Sequence, residues 1–463
     1  MPTVRLAVGI VPKTFYIETF GCQMNVHDSE KVRGMLETRG YSQVPTPDEA
    51  GMLLYNTCSI RDKAEQKVFS RLAGLKRKAG GKTVGVLGCV AQHNGEDIFD
   101  HAPHVDFVCG SASYNSLPAI LDRVEAGESR VTGLELDTDE TFDVPSVERD
   151  RPYSAYITII EGCDKECTYC VVPFTRGPER SRASESVMRE ARDLEARGYT
   201  EITLLGQTVN SYRDPSPARW SFARLLDEIG QLPRIRRVRF TTSHPADFTP
   251  DIVQAIDRNE SLCDWVHLPV QSGSTDVLRG MQRTYSRDEY LRCIDMLKGA
   301  ARTIELSTDI IVGFPGETER DFEQTLSLLD QVQYASVFSF KYSPRRGTAA
   351  AGLPQVPEEE KSRRLLVLQE HQRRIQLRRN TALIGGLQEA LVEGRKERFE
   401  QWVGRTTQNR VLNFADPSGL AGERDLRGTY CQVRVTASGP NSLVGELAEA
   451  VPQPAFQGLH VLN

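Results

Sequence analysis

The sequence predicts a multidomain α/β protein: an N-terminal open parallel α/β sheet domain, a central partial (β/α)6 barrel, and a small antiparallel β-barrel at the C-terminal end. Three observations predict it. Short apolar runs alternate with helical stretches over residues 14 to 130, the alternation resumes with six strand candidates between Tyr156 and Tyr342, and from Gln388 onward short β-type runs are separated by glycines. The 463 residues suggest about two to four domains, and 39% hydrophobic with 26% charged residues are ordinary values for a globular protein.

In the first domain, residues 14–130, strands are expected over Phe15 to Phe20, Leu53 to Asn56, Val84 to Leu87 and Asp106 to Val108. Helices are expected over Asp28 to Arg39, Ile60 to Lys78 and Ser116 to Ala126. The preceding Met1 to Lys13 has a short apolar stretch broken by Gly9 and no small-residue cleavage pattern, so it reads as a leader into the first strand. Strands of an open parallel sheet all end on one edge, where ligands bind. Cys22, Cys58 and Cys89 each lie just past a strand end, and Gly21 and Gly88 precede two of them, which lets the backbone turn closely around a bulky ligand. Free cysteines are ordinarily packing residues, but three on a shared edge point to a three-thiolate site. Cys109 also ends a strand and stands as an alternative member of the set.

Glu128 to Arg151 is acidic and turn-rich, which places a linker at 131–151. The central domain, 152–383, has strand candidates at Tyr156 to Glu161, Glu201 to Gly206, Arg237 to Ser243, Trp265 to Val270, Ile304 to Gly313 and Ala335 to Tyr342. Helices are expected near Ser184 to Arg197, Phe222 to Gln231, Pro250 to Asn259, Arg287 to Ala300 and Glu319 to Gln331. Chemistry in such barrels sits on loops after the strands. The loop after the first strand is Cys163-Asp-Lys-Glu-Cys167-Thr-Tyr-Cys170. Three thiolates hold three irons of a cubane cluster and leave the fourth open, whereas a cluster that only carries electrons is normally closed by four cysteines. A zinc site would need a fourth ligand, and no His or Cys follows Cys170 until His244.

A Pro-, Gly- and Ala-rich loop, Pro344 to Pro357, leads into a helix expected over Glu358 to Ala382. The last domain, 384–453, carries β-type runs at Ala390 to Glu393, Arg410 to Phe414, Tyr430 to Thr436 and Leu443 to Leu447, as in small barrels that hold RNA. The net charge of -6 does not suggest a nucleic-acid binder, but two segments are locally basic. Arg234, Arg236, Arg237 and Arg239 crowd one, and seven Lys or Arg opposed only by Glu370 fill Lys361 to Arg379. Solvated strand and helix faces are their ordinary explanation. The RNA-binding candidates are Arg234, Arg237, Arg363, Arg373, Arg405, Asn409 and Arg410. Ten cysteines and no apolar run approaching 18 residues argue for metal or redox thiols in a reducing cytoplasm, with no membrane span. With no long heptad run, a monomer is expected. Cys263, Cys293 and Cys431 read as packing residues, His244 as a pocket or turn residue, and Glu161 as a substrate contact or a loop-ordering group.

The C-x3-C-x2-C loop with Tyr169 before its last cysteine resembles the radical S-adenosylmethionine (SAM) superfamily. The resemblance implies that the open iron chelates SAM and that an electron from the cluster splits it to a 5'-deoxyadenosyl radical. It also implies SAM contacts at Tyr169, Gly206, Gln207, Gly313 and Phe314, although a Gly after a strand is ordinarily a turn and Thr318 with Asp321 also reads as a helix cap. Further motifs along the chain are Glu18-Thr-Phe-Gly-Cys22-Gln-Met-Asn25, Asn56-Thr-Cys58-Ser-Ile-Arg-Asp-Lys-Ala-Glu-Gln-Lys67, Gly88-Cys89, Glu161-Gly-Cys163 through Thr175-Arg-Gly177, and Thr242-Ser-His-Pro245. His267-Leu-Pro-Val-Gln-Ser-Gly273, Thr308 to Glu317, Gly404-Arg-Thr and Asn409-Arg-Val continue the series. Over nearly the whole chain these motifs resemble those of the methylthiotransferases, and among them those of the MiaB family.

This resemblance implies two [4Fe-4S] clusters, with Cys22, Cys58 and Cys89 rather than Cys109 as ligands of the second, and a TRAM-like final barrel. It implies that SAM serves both as methyl donor and as radical source, and that N6-isopentenyladenosine at tRNA position 37 becomes its 2-methylthio derivative. Both clusters would then face one substrate pocket, the basic segments and the barrel would grip the anticodon stem-loop, and a flavodoxin or ferredoxin system would supply electrons. The alternatives are a related methylthiotransferase for threonylcarbamoyl-adenosine or a ribosomal-protein aspartate, and a non-catalytic Fe-S RNA-binding protein.

Overall fold

The computed structural model describes residues 13–59, 62–75, 81–136, 149–422 and 424–451. The leader up to residue 12, Ile60 and Arg61 of the second motif, residues 76–78 of the second expected helix, most of the linker, and 452–453 of the last domain lie outside the described residues. The chain divides into two compact units. One comprises 1–150 with 161–164 and 171–180; the other comprises 151–160, 165–170 and 181–463.

The first unit is built on six parallel strands in the order Ser42–Gln43, Thr14–Phe20, Met52–Thr57, Thr83–Gly88, Phe107–Gly110, Val131–Gly133. Met52–Thr57 is buried throughout, because helices cover both faces of a parallel sheet. Successive side chains alternate between two cores: Met52 and Leu54 pack with Phe15, Leu36 and Phe107, while Leu53 and Tyr55 pack with Val68, Val86 and Phe99. All four expected strands form. Val131–Gly133 falls in the expected linker, since a three-residue edge strand leaves no periodicity to read. The first helix runs Gln23–Thr38 and starts earlier than expected from the sequence, because its buried face near the start is polar: Asn25, His27, Asp28 and Ser29.

The second unit contains all six expected parallel strands, held as two three-stranded sheets. Ser154–Thr158, Glu201–Leu205 and Arg237–Phe240 form one; Trp265–His267, Glu305–Val312 and Ser336–Lys341 form the other. One hydrophobic core runs under both, from Ile157 and Ile202 through Val266 and Ile310 to Leu329. The expected helices form, and Thr318 with Asp321 makes a capping box for Glu319–Val332. The helix Glu358–Thr381 follows, with Lys361, Arg364 and Leu368 buried.

The last five strands close into a barrel in the order Leu387–Lys396, Gln401–Thr406, Val411–Ala415, Ser442–Val451, Tyr430–Ser438. Four pairings are antiparallel, and Val411–Ala415 with Ser442–Val451 is parallel. Directions cannot alternate around a closed ring of odd number, so one parallel pairing is forced. Gln401–Thr406 escapes a sequence reading because two of its three inward residues are Gly404 and Thr406; a Cβ at 404 would lie 2.8 Å from Leu391 O.

Within this unit the final barrel is fastened to the N-terminal ends of the parallel strands. Arg237 is 1% exposed; it donates to Arg405 O (2.6 Å), Glu389 O (3.2 Å) and Glu389 Oε1 (3.0 Å). Arg239 donates to Thr406 O, Thr407 O and Glu201 Oε2. Glu305 receives Arg379 at 2.5 Å and Arg410 at 3.0 Å. The N-terminal end of a parallel barrel serves stability, and the opposite end carries the loops that do chemistry. The basic cluster at 234–239 is therefore largely an internal fastening, which corrects the expectation of RNA contact for Arg237. Arg410 is corrected likewise, since Glu305 and Asn380 hold it.

Candidate metal centres

Register pairs Phe20 with Thr57, Thr57 with Gly88, and Gly88 with Gly110, so four strands of the first unit end level. Cys22, Cys58 and Cys89 leave the sheet side by side. Gly21 has φ +133°, and a Cβ there would lie 2.5 Å from Cys58 Cβ. Gly88 has φ +88°, and a Cβ would collide with Asn56 Oδ1 and lie 2.9 Å from Thr57 O. Where the sequence suggests room for a ligand, the neighbouring strand end fills it. Asn56 is buried at the centre of this edge; its Nδ2 donates to Asn25 O and Ser29 Oγ at 2.9 Å each.

Cys22 caps the helix Gln23–Thr38, its N–H donating to Asn25 Oδ1 at 3.3 Å. A hydrogen bond from Cys58 lowers the Cys22 thiol pKa to about 6 against the effect of burial, with Arg176 and the first-turn backbone assisting. Cys89 is buried at the start of the helix Cys89–Asn94. Cys109 sits one residue inside its strand, fully buried beside Leu87 and Phe107, with its S–H towards Ser113 O at 3.4 Å. Burial pushes its thiol pKa up, and its S–H is directed into the core rather than to the strand-end edge.

Arg176, from the Thr175-Arg-Gly177 match, was not singled out by the sequence. It is 5% exposed, donates from Nη2 to Asp28 Oδ2 at 2.5 Å, and lies within the electrostatic reach of Cys89 and Cys22. Its Nη1 is buried without a protein partner. Glu161 pairs with Lys31 (3.2 Å) and Arg180 (3.6 Å), so it orders the loop. Burial works to raise its pKa, but Lys31, Arg176 and Arg180 hold it below the usual carboxylate range. Cys163 is 8% exposed, and its N–H donates to Gly177 O at 3.2 Å.

In the second unit Cys167 and Cys170 are half-buried, with Cys170 N–H donating to Cys167 O at 3.0 Å. Arg283 Nη1 donates to Cys167 Sγ at 3.4 Å, a contact no local spacing reveals because 116 positions separate the pair. Tyr169 packs against Val277, Met281, Phe314 and Tyr342. Phe314 is fully buried edge-on to Tyr342, so it forms the wall behind Tyr169. A Cβ on Gly206 would lie 2.9 Å from Ile160 Cγ2, and one on Gly313 would collide with the Lys361 stem. Both glycines thus serve close packing. Gln207 Oε1 is buried without a donor. His244 is a turn residue: its Nδ1 accepts from Ala246 N–H, and burial with nearby Arg283 and Lys165 lowers its pKa to about 3.

Among the described residues no three His, Cys, Asp or Glu side chains converge tightly enough to hold a single metal ion. Thiolates that each bind a different iron of one cluster stand farther apart than that. By donor chemistry, three thiols beside a buried guanidinium with an unpartnered N–H fit an anionic iron-sulfur cluster. Of the RNA candidates, Arg234 is exposed, Arg373 is exposed and paired with Glu370, Arg363 is exposed and paired with Glu319 and Glu360, and Arg405 pairs with Glu393 and with Asn409.

Residues 14–110 match the uncharacterized protein family UPF0004, 157–329 the radical SAM superfamily and 382–448 the TRAM domain. A relative from Solibacter usitatus named tRNA-2-methylthio-N(6)-dimethylallyladenosine synthase is 65% identical over 95% of this chain and 99% of its own. Relatives of the same name from Koribacter versatilis and Aquifex aeolicus are 58% and 43% identical, over 94% and 95% of this chain and 98% and 99% of theirs. Among solved structures, the radical SAM methyltransferase TsrM from Kitasatospora setae, with cobalamin and a [4Fe-4S] cluster bound, aligns at TM-score 0.55. It has 12% identity and covers 74% of this chain and 77% of that one, a likeness of fold. The order of the three domains and the near full-length identity settle the classification: the chain belongs to the radical SAM family of tRNA-2-methylthio-N(6)-dimethylallyladenosine synthases.

Proposed function

We propose that this chain converts N6-isopentenyladenosine at tRNA position 37 to 2-methylthio-N6-isopentenyladenosine, with SAM as both methyl donor and radical source. The observation that carries the reading is 65% identity over 99% of a relative bearing that enzyme's name. The two separate sets of three thiols support it, because inserting sulfur at an unactivated C–H needs one centre for hydrogen abstraction and one to present sulfur. We assign Cys163, Cys167 and Cys170 to the first, and Cys22, Cys58 and Cys89 to the second. A [4Fe-4S] cluster at the first set supplies, when bound, the electron that splits SAM.

The chain's own residues orient and insulate. Tyr169, backed by Phe314, offers an aromatic wall for the adenine of SAM, and Gln207 Oε1 an acceptor. Asn56 holds the strand ends that carry Cys22, Cys58 and Cys89, and Arg176 balances the charge of their thiolates. Arg234, exposed, and Arg363, Arg373, Arg405 and Asn409, which would exchange local partners, are the proposed phosphate contacts with the anticodon stem-loop. The proposed domain limits are 14–133, 152–383 and 384–453, the first extended to include the edge strand at Val131–Gly133.

The chain is proposed to work as a cytoplasmic monomer with a flavodoxin- or ferredoxin-type donor. Among the described residues no helix is long and apolar enough to cross a membrane. The test is mass spectrometry of tRNA nucleosides from a strain lacking the gene. Isopentenyladenosine should accumulate and the methylthio form vanish; an unchanged methylthio nucleoside refutes the reading.

A further inference from the structure

We propose that Arg283 is a positioning residue that raises the reduction potential of the radical-generating cluster through its hydrogen bond to Cys167. The inference rests on the assignment of Cys163, Cys167 and Cys170 as that cluster's ligands. Arg283 follows the short helix Thr275–Gly280, and Gln282 at φ +53° turns the chain so that Arg283 N–H donates back to Leu278 O. A left-handed, non-glycine residue is strained and persists where its surroundings fix it. Here the turn delivers a guanidinium to one sulfur.

All three guanidinium nitrogens are engaged. Nη1 donates to Cys167 Sγ at 3.4 Å, Nη2 to Pro269 O at 3.3 Å, and Nε to Tyr285 Oη at 2.9 Å. Tyr285 Oη in turn donates to Val270 O at 2.9 Å. The sulfur's own segment is fastened to the same turn: Thr168 N–H donates to Met281 O at 3.1 Å and its hydroxyl to Gly280 O at 3.0 Å. Only a planar fork with donors in fixed directions makes all three contacts at once. Gaining an electron makes a cluster more negative, so a cationic donor on a ligand sulfur stabilises the reduced state more than the oxidised one. No proton is moved and no bond is broken. A bound cluster would accept one electron more readily from a low-potential flavodoxin- or ferredoxin-class donor, with SAM as the acceptor of that electron.

The test uses the full chain carrying C22A, C58A and C89A, so that a single cluster is present, compared with the same chain plus Arg283→Gln. Iron content and an EPR-monitored redox titration are read first. An unmutated loop that holds no iron overturns the cluster assignment itself, separately from the role of Arg283. With iron equal in both, the expected result is a more negative midpoint in R283Q, with R283K between the two. SAM cleavage should fall with a flavodoxin-class donor and recover with a strong chemical reductant; a tenfold fall in the reduced fraction corresponds to about 59 mV. An unchanged midpoint, or an equal loss of cleavage with both reductants, overturns the proposal. Should R283Q fail to load iron, Y285F, which loosens the guanidinium without removing it, decides. A smaller negative shift supports the proposal and an unchanged midpoint refutes it.

Discussion

Replacing Arg237 with Met separates an internal fastening from an RNA contact. The side chain is 1% exposed and makes three bonds, two to backbone carbonyls of the final barrel and one to Glu389. Breaking a buried ion pair from one side costs about 3–5 kcal/mol. The lower end applies here. Glu389 is 28% exposed and keeps Arg236 at 2.9 Å, so it is not stranded, and Met retains most of the buried volume. The structure thus predicts a loss of about 3 kcal/mol, roughly a hundredfold in the folding equilibrium. Urea unfolding of the metal-free chain measures it, and limited proteolysis reports whether the final barrel loosens first. RNA affinity across a salt series provides the contrast, since losing one phosphate contact reduces the slope of log K against log salt by about 0.7–0.9. R237M should leave that slope unchanged. Wild-type stability with a slope reduced by about one unit refutes the reasoning.

Cys109→Ala should keep about eight irons per chain, whereas single alanine variants at Cys22, Cys58 or Cys89 should fall towards about four; loss of iron in C109A contradicts the assignment. Gly88→Ala places a Cβ against Asn56 and Thr57 at φ +88°, and iron analysis should show loss of the N-terminal cluster alone. Burial works to raise the pKa of Glu201, but Arg239 and Arg237 hold it below its ordinary 4.5; at Glu305, Arg410 and Arg379 do the same. Carboxylates lowered on folding stabilise above about pH 4.5 and lose that contribution as pH falls through their folded values. Melting temperature should therefore drop as pH falls below about 4.5, less steeply in the E305Q variant.

The parallel sheet and the six central strands were readable in the sequence because apolar periodicity is a local signal. The strand-end position of Cys58 and Cys89 followed directly. Other features depend on long-range contact. Gln401–Thr406 buries Gly404 and Thr406, so it presents no apolar run, and the first helix hides a polar face against the sheet edge. Arg176 and Arg283 reach cysteines 87 or more positions away, and no spacing rule links them. The basic run at 234–239 left a solvated strand face or an RNA surface open, and Arg237 and Arg239 instead answer Glu389, Glu201 and the carbonyls of the final barrel.

The proposed reaction divides the labour between two sets of thiols. It is tested most directly by reconstituting wild type, C163A and the C22A/C58A/C89A chain under anaerobic conditions with SAM, a reductant and an isopentenylated anticodon hairpin. 5'-Deoxyadenosine and methylthio-adenosine product are quantified in the same samples. The account predicts both products from wild type, neither from C163A, and 5'-deoxyadenosine without methylthio product from the triple variant. Methylthio product from the triple variant, or the absence of 5'-deoxyadenosine from it with its remaining cluster intact, contradicts the account.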